Sequence, residues 1–240
     1  MKKVSLNDLA KALNLSKTLV SFVMNGKGDA YGINPETQKK VQAMAKKMNY
    51  RPNLIARGLR TGKSNLLGLI VSDIGNPFYS RISRAVEAEA EKHGYYMMVC
   101  STDENETREK RLVQMLLEEQ GVNGLIISTS QHDPEYFREL KKSGYPLVLI
   151  DRSINGLKID YVGVDNYKGG FEATMQLLNV GYKKIAMLRI SPSFLSTIND
   201  RARGYMDALK ERGIKPDPKL IREIPFDDIR EKVFTAVREL

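Results

Sequence analysis

The side chains best placed to act on a partner sit in one short segment, Ser16 to Asn25. Wound as a helix, it carries Lys17, Thr18, Ser21, Phe22 and Asn25 at i, i+1, i+4, i+5 and i+8, so an ammonium, two hydroxyls, an amide and one aromatic ring share a wetted face. Val20, Val23 and Met24 fall on the opposite side. Such a row of donors suits phosphates and base edges, both rich in acceptors. An exposed phenylalanine among them needs its own reason.

The elements around this segment give it a setting. Ser5 and Asp8 have the spacing of a capping box, and Leu6, Leu9, Ala10 and Leu13 form the stripe of a first amphipathic helix. A break at 14–16 leaves room for a tight turn, after which Ser16 caps the second helix. Asn34 as cap, Pro35 at the first helical position and the stripe Val41, Met44, Ala45, Met48 predict a third. Arg51-Pro52 then breaks the chain, Asn53 is able to cap again, and Leu54 to Arg60 allows barely two helical turns.

Charge follows the same division. The chain has 240 residues, 42% apolar and 28% charged, an ordinary globular balance. Residues 1–63 hold thirteen lysines and arginines against Asp8, Asp29 and Glu36, a net +10, and the remainder nets −1. A compact segment this basic favours a polyanion, because each neutralised phosphate releases counterions. Two helices joined by a tight turn on a basic three-helix unit describe a helix-turn-helix module, whose second helix enters the DNA major groove. No apolar run is long enough to cross a bilayer, and charges interrupt the start where a signal peptide needs an apolar core, so a cytoplasmic location is expected. One cysteine, Cys100, excludes an internal disulfide, and His93 and His132 show no metal-ligand spacing with it. No metal or cofactor is expected.

The run LNDLAKALNLSKTLVSFVMNGK, followed by NYRPNLIARGLRTGKSNLLGLIVSDIGNPFY, resembles the LacI/GalR (lactose-repressor) family of bacterial transcription regulators. The resemblance implies that Lys17, Thr18 and Phe22 read bases, with Ser16, Ser21 and Asn25 beside them. It makes 53–59 a hinge helix that folds on operator DNA, contacting it through Asn53, Ala56 and Leu59, with Leu59 wedged into the minor groove. Phe22 stands where the family more often has arginine, which points to thymine methyl groups at that position of the operator. The stretch Gly28-Asp29-Ala30-Tyr31-Gly32 is longer than the family's usual turn, and Tyr31 touches phosphate or nothing.

From residue 64 the pattern alternates. Leu66–Val71, Tyr95–Cys100, Gly124–Ser128, Pro146–Ile150 and Ile185–Leu188 read as buried strands. A segment around Ile82 to Ala90, then Thr107–Gln120, Pro134–Ser143, Tyr167–Val180 and Thr197–Gly213, reads as helices. The result is a doubly wound α/β domain with a parallel sheet covered on both faces, whose ligands bind outside the carboxyl ends of the strands. Asp73, Asp103, Asp151 and Asp165 lie near those ends; without a partnered base or nucleophile they read as hydroxyl acceptors and suit a sugar-type ligand. Phe78-Tyr79 is able to stack on such a ligand or to join the core. The loops hold no nucleotide-binding or hydrolase signature.

The resemblance extends through this half. It implies a periplasmic-binding-protein-like effector domain of two lobes, with small ligands held by Phe78, Tyr79, Asp165, Thr197 and Arg201 and with Asp151-Arg152 nearby. Arg201 is the strongest single candidate, its fork suited to vicinal hydroxyls, a carboxylate or a phosphate. Family members dimerise through this domain and run longer than 240 residues, so a truncated chain with an incomplete second lobe is expected.

The expected organisation is therefore a DNA-binding domain over 1–50, a hinge over 51–63 and a partial effector domain over 64–240. The expected function is that of a non-enzymatic regulator, a repressor, binding operator DNA as a homodimer under the control of a carbohydrate effector. A soluble carbohydrate receptor or enzyme with a basic appendage is the rival reading, and nonspecific nucleoid binding the third.

Overall fold

A computed structural model describes residues 4–50, 64–154, 156–191 and 194–240, and the chain divides into two compact units, Met1–Ser64 and Asn65–Leu240. The first unit is helical: α1 (Leu6–Leu13), α2 (Lys17–Met24) and α3 (Pro35–Lys47). Its caps are the expected ones. Ser5 Oγ accepts from the Asp8 amide while the Asp8 carboxylate accepts from the Ser5 amide, closing the capping box on α1. Ser16 Oγ accepts from the Leu19 amide at 3.2 Å, and Asn34 Oδ1 accepts from the Glu36 amide at 2.8 Å with Pro35 in the first turn. Each cap satisfies an amide that has no partner within its helix. Leu9, Ala10, Val20, Val23, Val41 and Ala45 are buried in one small core, with Met24, Met44 and Met48 packed at its edge.

In the second unit β1 (Leu66–Val71), β2 (Tyr96–Ser101), β3 (Leu125–Ile127), β4 (Leu147–Ile150) and β5 (Asp160–Val162) form a parallel sheet of order β2-β1-β3-β4-β5. Its crossovers are α4 (Pro77–Lys92), α5 (Glu106–Gln114), which runs into a wider π-type turn at Met115–Glu119, and α6 (Pro134–Lys142). The β1 run is apolar throughout because both faces are covered: Ile70 joins Val113, Leu116, Ile127 and Phe137 on one side, and Leu69 and Val71 join Tyr79 and Ile150 on the other. Strand order reverses between β1 and β3, so the loops after these two strands diverge and open a crevice at the carboxyl edge.

A second parallel pair, β6 (Met187–Ile190) and β7 (Ile221–Ile224), packs with α7 (Asn166–Asn179), α8 (Ser196–Glu211) and α9 (Ile229–Arg238). Helices α7 and α8 cross with their backbones in contact. A Cβ on Gly204 would collide with the Tyr167 carbonyl, and one on Gly170 with the Arg201 carbonyl.

Element boundaries shift from expectation by one or two residues, as for β2 and β6, and two strands were not expected at all. Strand β5 is three exposed residues held only by β4, so no buried alternation marks it. Strand β7 carries Arg222 and Glu223 in its middle, and Glu223 pairs with Arg189 directly opposite on β6 at 3.2 Å.

The glycine crossing gives a first prediction. Gly204→Ala should destabilise the chain by about 2 kcal/mol or more, because backbone atoms must move apart. Gly169→Ala, whose Cβ meets nothing within 4 Å, should be neutral or stabilising by up to about 1 kcal/mol. Urea unfolding of both variants checks this, and equal effects would contradict it.

Candidate functional site

Two groups of side chains present chemistry, one on each unit. On α2, Lys17 and Thr18 are exposed and Ser21 and Phe22 half-buried. Ser16 serves as the N-cap, while Asn25 caps the other end of the helix and donates from Nδ2 to the Ser21 carbonyl at 2.6 Å. Phe22 is not bare. Its ring stacks on Tyr31, centroids 3.7 Å apart and planes 9° from parallel, so the alternative in which Tyr31 touches nothing does not hold. Asn53, Ala56 and Leu59 lie outside the described residues.

The second group lies at the carboxyl edge of the sheet, where the crevice opens. Tyr79, buried on α4, donates from its hydroxyl to Asp151 Oδ2 at 2.8 Å and accepts from Ser128 Oγ at 3.0 Å. Burial pushes the Tyr79 phenol up to about 12, with the Arg152 charge opposing and the Asp151 charge reinforcing it. It stays a protonated donor at neutral pH. Phe78 stands half-exposed beside it, edge-on with a centroid distance of 5.0 Å. Asp151 follows β4 in the left-handed region, φ 63°, a conformation aspartate tolerates better than most residues.

Arg152, with its side chain only 9% exposed, binds Glu104 through both terminal nitrogens at 2.6 and 2.7 Å and donates to the Thr129 carbonyl at 3.1 Å. Burial opposes its charge, but the two-pronged bond to Glu104 overrides that and raises the guanidinium further. The fork thereby ties the loops after β2, β3 and β4 into one frame. Beneath it, fully buried Glu109 of α5 accepts from Thr129 Oγ1 at 2.8 Å and from the Ser130 amide at 2.6 Å. Ser130 Oγ meets Thr102 Oγ1 at 3.0 Å.

Arg201, exposed on α8, donates from Nε to Asn166 Oδ1 at 2.8 Å, and its terminal nitrogens have no hydrogen-bond partner among the described residues. Asn166 is buried and anchored to the Val164 carbonyl at 3.2 Å. The tight α7–α8 crossing sets this pair. Thr197 is buried one turn before Arg201, and Asp165 caps α7 by accepting from the Lys168 amide at 2.9 Å. The Ser153 amide donates to Ser196 Oγ at 2.9 Å, and His132 packs against Phe194 with ring centroids 4.9 Å apart, so the segments after β3 and β4 meet the start of α8.

The structure thus joins Tyr79 to Asp151 with Phe78 alongside, and sets Arg201 beside Asn166, next in sequence to Asp165. The sequence reading missed Ser128, Thr129, Ser130, Glu104, Glu109 and Asn166. A signal existed for most: 128–131 is a polar run directly after an apolar strand, and Glu109 occupies the helical face of Val113 and Leu116.

Residues 5–53 match the family model of bacterial regulatory proteins, lacI family, and residues 64–240 match that of periplasmic binding proteins and the sugar binding domain of the LacI family. The chain belongs to the LacI family. It is similar to the HTH-type transcriptional regulator DegA of Bacillus subtilis, 32% identical over 227 residues, which are 93% of this chain and 66% of the relative. Among solved structures it resembles the lac repressor dimer bound to operator and the anti-inducer ONPF, with TM-score 0.82 and 25% identity over 99% of this chain and 71% of that one. It also resembles a complex of the transcriptional regulator CelR with cellobiose, with TM-score 0.62 and 25% identity over 99% and 70%. The chain spans 59–66% of the length of the first three curated relatives it matches.

Glu109 makes the frame sensitive to pH. Burial raises its carboxyl from the usual 4.5 to about 7, against the hydrogen bonds from Ser130 and Thr129 that favour the charge. The folded chain therefore holds a proton that the unfolded chain releases earlier. The associated stability is fully present below about pH 4.5 and is lost as pH rises through 7. Relative to Glu109→Gln, the wild-type unfolding free energy should fall by at most about 3 kcal/mol across that window. Parallel pH profiles for the two proteins would contradict this.

Proposed function

We propose that this chain is a sequence-specific DNA-binding transcriptional regulator, a repressor, controlled by a small hydroxylated effector of the sugar class. The observation that carries the reading is the exposed Lys17-Thr18 face on α2 of a three-helix unit that holds the whole positive excess of the chain. The lysines and arginines of 1–63 supply affinity by releasing counterions from phosphate, which positions the unit without selecting sequence. Selection falls to Lys17, which donates to guanine, and to Thr18 and Phe22 against base edges and thymine methyl groups. The segment 51–63 supplies the hinge contacts of Asn53, Ala56 and Leu59, and two copies of the chain bind a pseudo-palindrome.

At the carboxyl edge of the sheet, Asp151, held in place by the Tyr79 hydroxyl, and Asp165 accept from sugar hydroxyls, Phe78 offers an apolar face, and Arg201 clamps a vicinal pair or an anion. Thr197, buried one turn before Arg201, belongs to the same set. Nothing in this set forms a nucleophile with a base, so its part is binding. Effector and operator are linked: a ligand that favours one arrangement of the domain changes DNA affinity, and operator changes ligand affinity by the same factor. That the CelR complex holds cellobiose supports the choice of a sugar.

Selection from a randomised DNA pool with the full chain tests the proposal. An enriched pseudo-palindrome is the expected result, and Lys17→Ala should relax discrimination at one base pair of it by about 1–3 kcal/mol. Enrichment of no sequence, with binding that simply fades as salt rises, would overturn the reading.

A further inference from the structure

Tyr31 lies in the stretch between α2 and α3 that no expected contact explains. The backbone there is tightly organised. Asp29–Tyr31 form a single 3-10 turn, the Tyr31 amide donates to the Lys27 and Gly28 carbonyls at 3.2 and 3.3 Å, and the Ile33 amide donates to the Gly28 carbonyl at 2.9 Å. Gln38 of α3 braces the turn from below. Its Nε2 donates to Asp29 Oδ1 and to the Ile33 carbonyl, each at 2.8 Å, and its side chain fills the space where Gly28 would carry a Cβ. The turn ends at Gly32, φ 64°, a left-handed position that glycine occupies without strain. All this structure ends in an aromatic ring that is 56% exposed and touches one aromatic neighbour, Phe22.

A stack at 3.7 Å covers one face of the Phe22 ring and restricts its rotamer. Of the pair Tyr31 is the more exposed ring and Phe22 the half-buried one, and Thr18 and Ser21 stand on α2 four and one residues before Phe22. Two parallel rings present a continuous apolar edge about twice as broad as one. Such a surface has little use for the polar edges of guanine or cytosine. It suits the 5-methyl groups of thymine, the one apolar feature of the major groove.

We propose that Tyr31 is a specificity-determining residue: it holds Phe22 in place and, with it, reads thymine 5-methyl groups on adjacent base pairs. This rests on the DNA-reading proposal above and adds a second reader from outside the recognition helix.

The test uses the full chain and the duplex enriched by wild-type protein, with each thymine replaced in turn by uracil, which removes only the methyl. For wild type, two neighbouring positions should each lose about fourfold in affinity, the value of one buried methyl. Tyr31→Ala should abolish the loss at one and weaken it at the other, while Tyr31→Phe retains both. Phe22→Ala combined with Tyr31→Ala should leave no uracil penalty at either position and should cost less than the sum of the two single substitutions, because Tyr31 also positions Phe22. The fold of each variant is checked by circular dichroism, and the exposed ring of Tyr31→Phe provides a variant with no packing change. If Tyr31→Ala keeps the full uracil penalties, or weakens all duplexes equally as a phosphate contact would, the inference is wrong while DNA reading stands. If wild type enriches no sequence, DNA reading fails and this inference fails with it.

Discussion

A buried guanidinium holds the carboxyl edge of the sheet together. Parallel strands bring their loops to one edge, and those loops carry backbone and side-chain polar groups that water cannot reach once helices cover both faces. Arg152 answers this by bonding Glu104 after β2 and the Thr129 carbonyl after β3 from its own place after β4. A buried pair of this kind adds little net stability, since desolvation cancels most of the attraction. Its value is geometric: a planar fork with two fixed partners permits one arrangement of three loops. Tyr79 and Asp151 are held in the same frame, with Ser128 as the link from β3.

The two units divide the physical tasks. The helical unit holds the positive charge and keeps its core small, with six buried apolar residues among those described and methionines at the rim. Each of its helices is capped and buries one side in that core, which leaves the Lys17-Thr18 side of α2 for contact. The α/β unit is electrically near neutral and places its polar side chains at strand ends, where directed hydrogen bonds are available. Under the proposed function, charge supplies affinity in one unit and fixed donors and acceptors supply selectivity in the other, and a chain built this way can change one without losing the second.

The legible parts of the fold were those in which a local pattern and the tertiary structure agree. Ser5 with Asp8, Ser16, and Asn34 with Pro35 marked helix starts that the structure keeps, because a cap is a contact between near neighbours. The apolar runs of β1, β3 and β4 were equally plain. Strands β5 and β7 were not, since one is an exposed edge and the other tolerates Arg222 and Glu223 by pairing across to Arg189. The same rule applies to the candidate sites. Arg201 follows from resemblance and Asp151 from its place after an apolar strand, but the Arg152–Glu104 fork joins residues 48 apart and Glu109 meets Thr129 across 20, so no local pattern announces either. The Phe22–Tyr31 stack was hidden for a similar reason: its partner comes from the turn, outside the helical period that exposed Phe22.

The most direct measurement is the affinity of the full chain for its selected duplex and for a scrambled duplex of equal length, each followed between roughly 50 and 200 mM salt. Both affinities should fall steeply and in parallel, because the same phosphates are contacted, while the ratio between the duplexes persists, because base contacts carry it. Two isotherms that coincide at every salt concentration would show a basic surface binding any polyanion, and would contradict the assignment of sequence reading to α2.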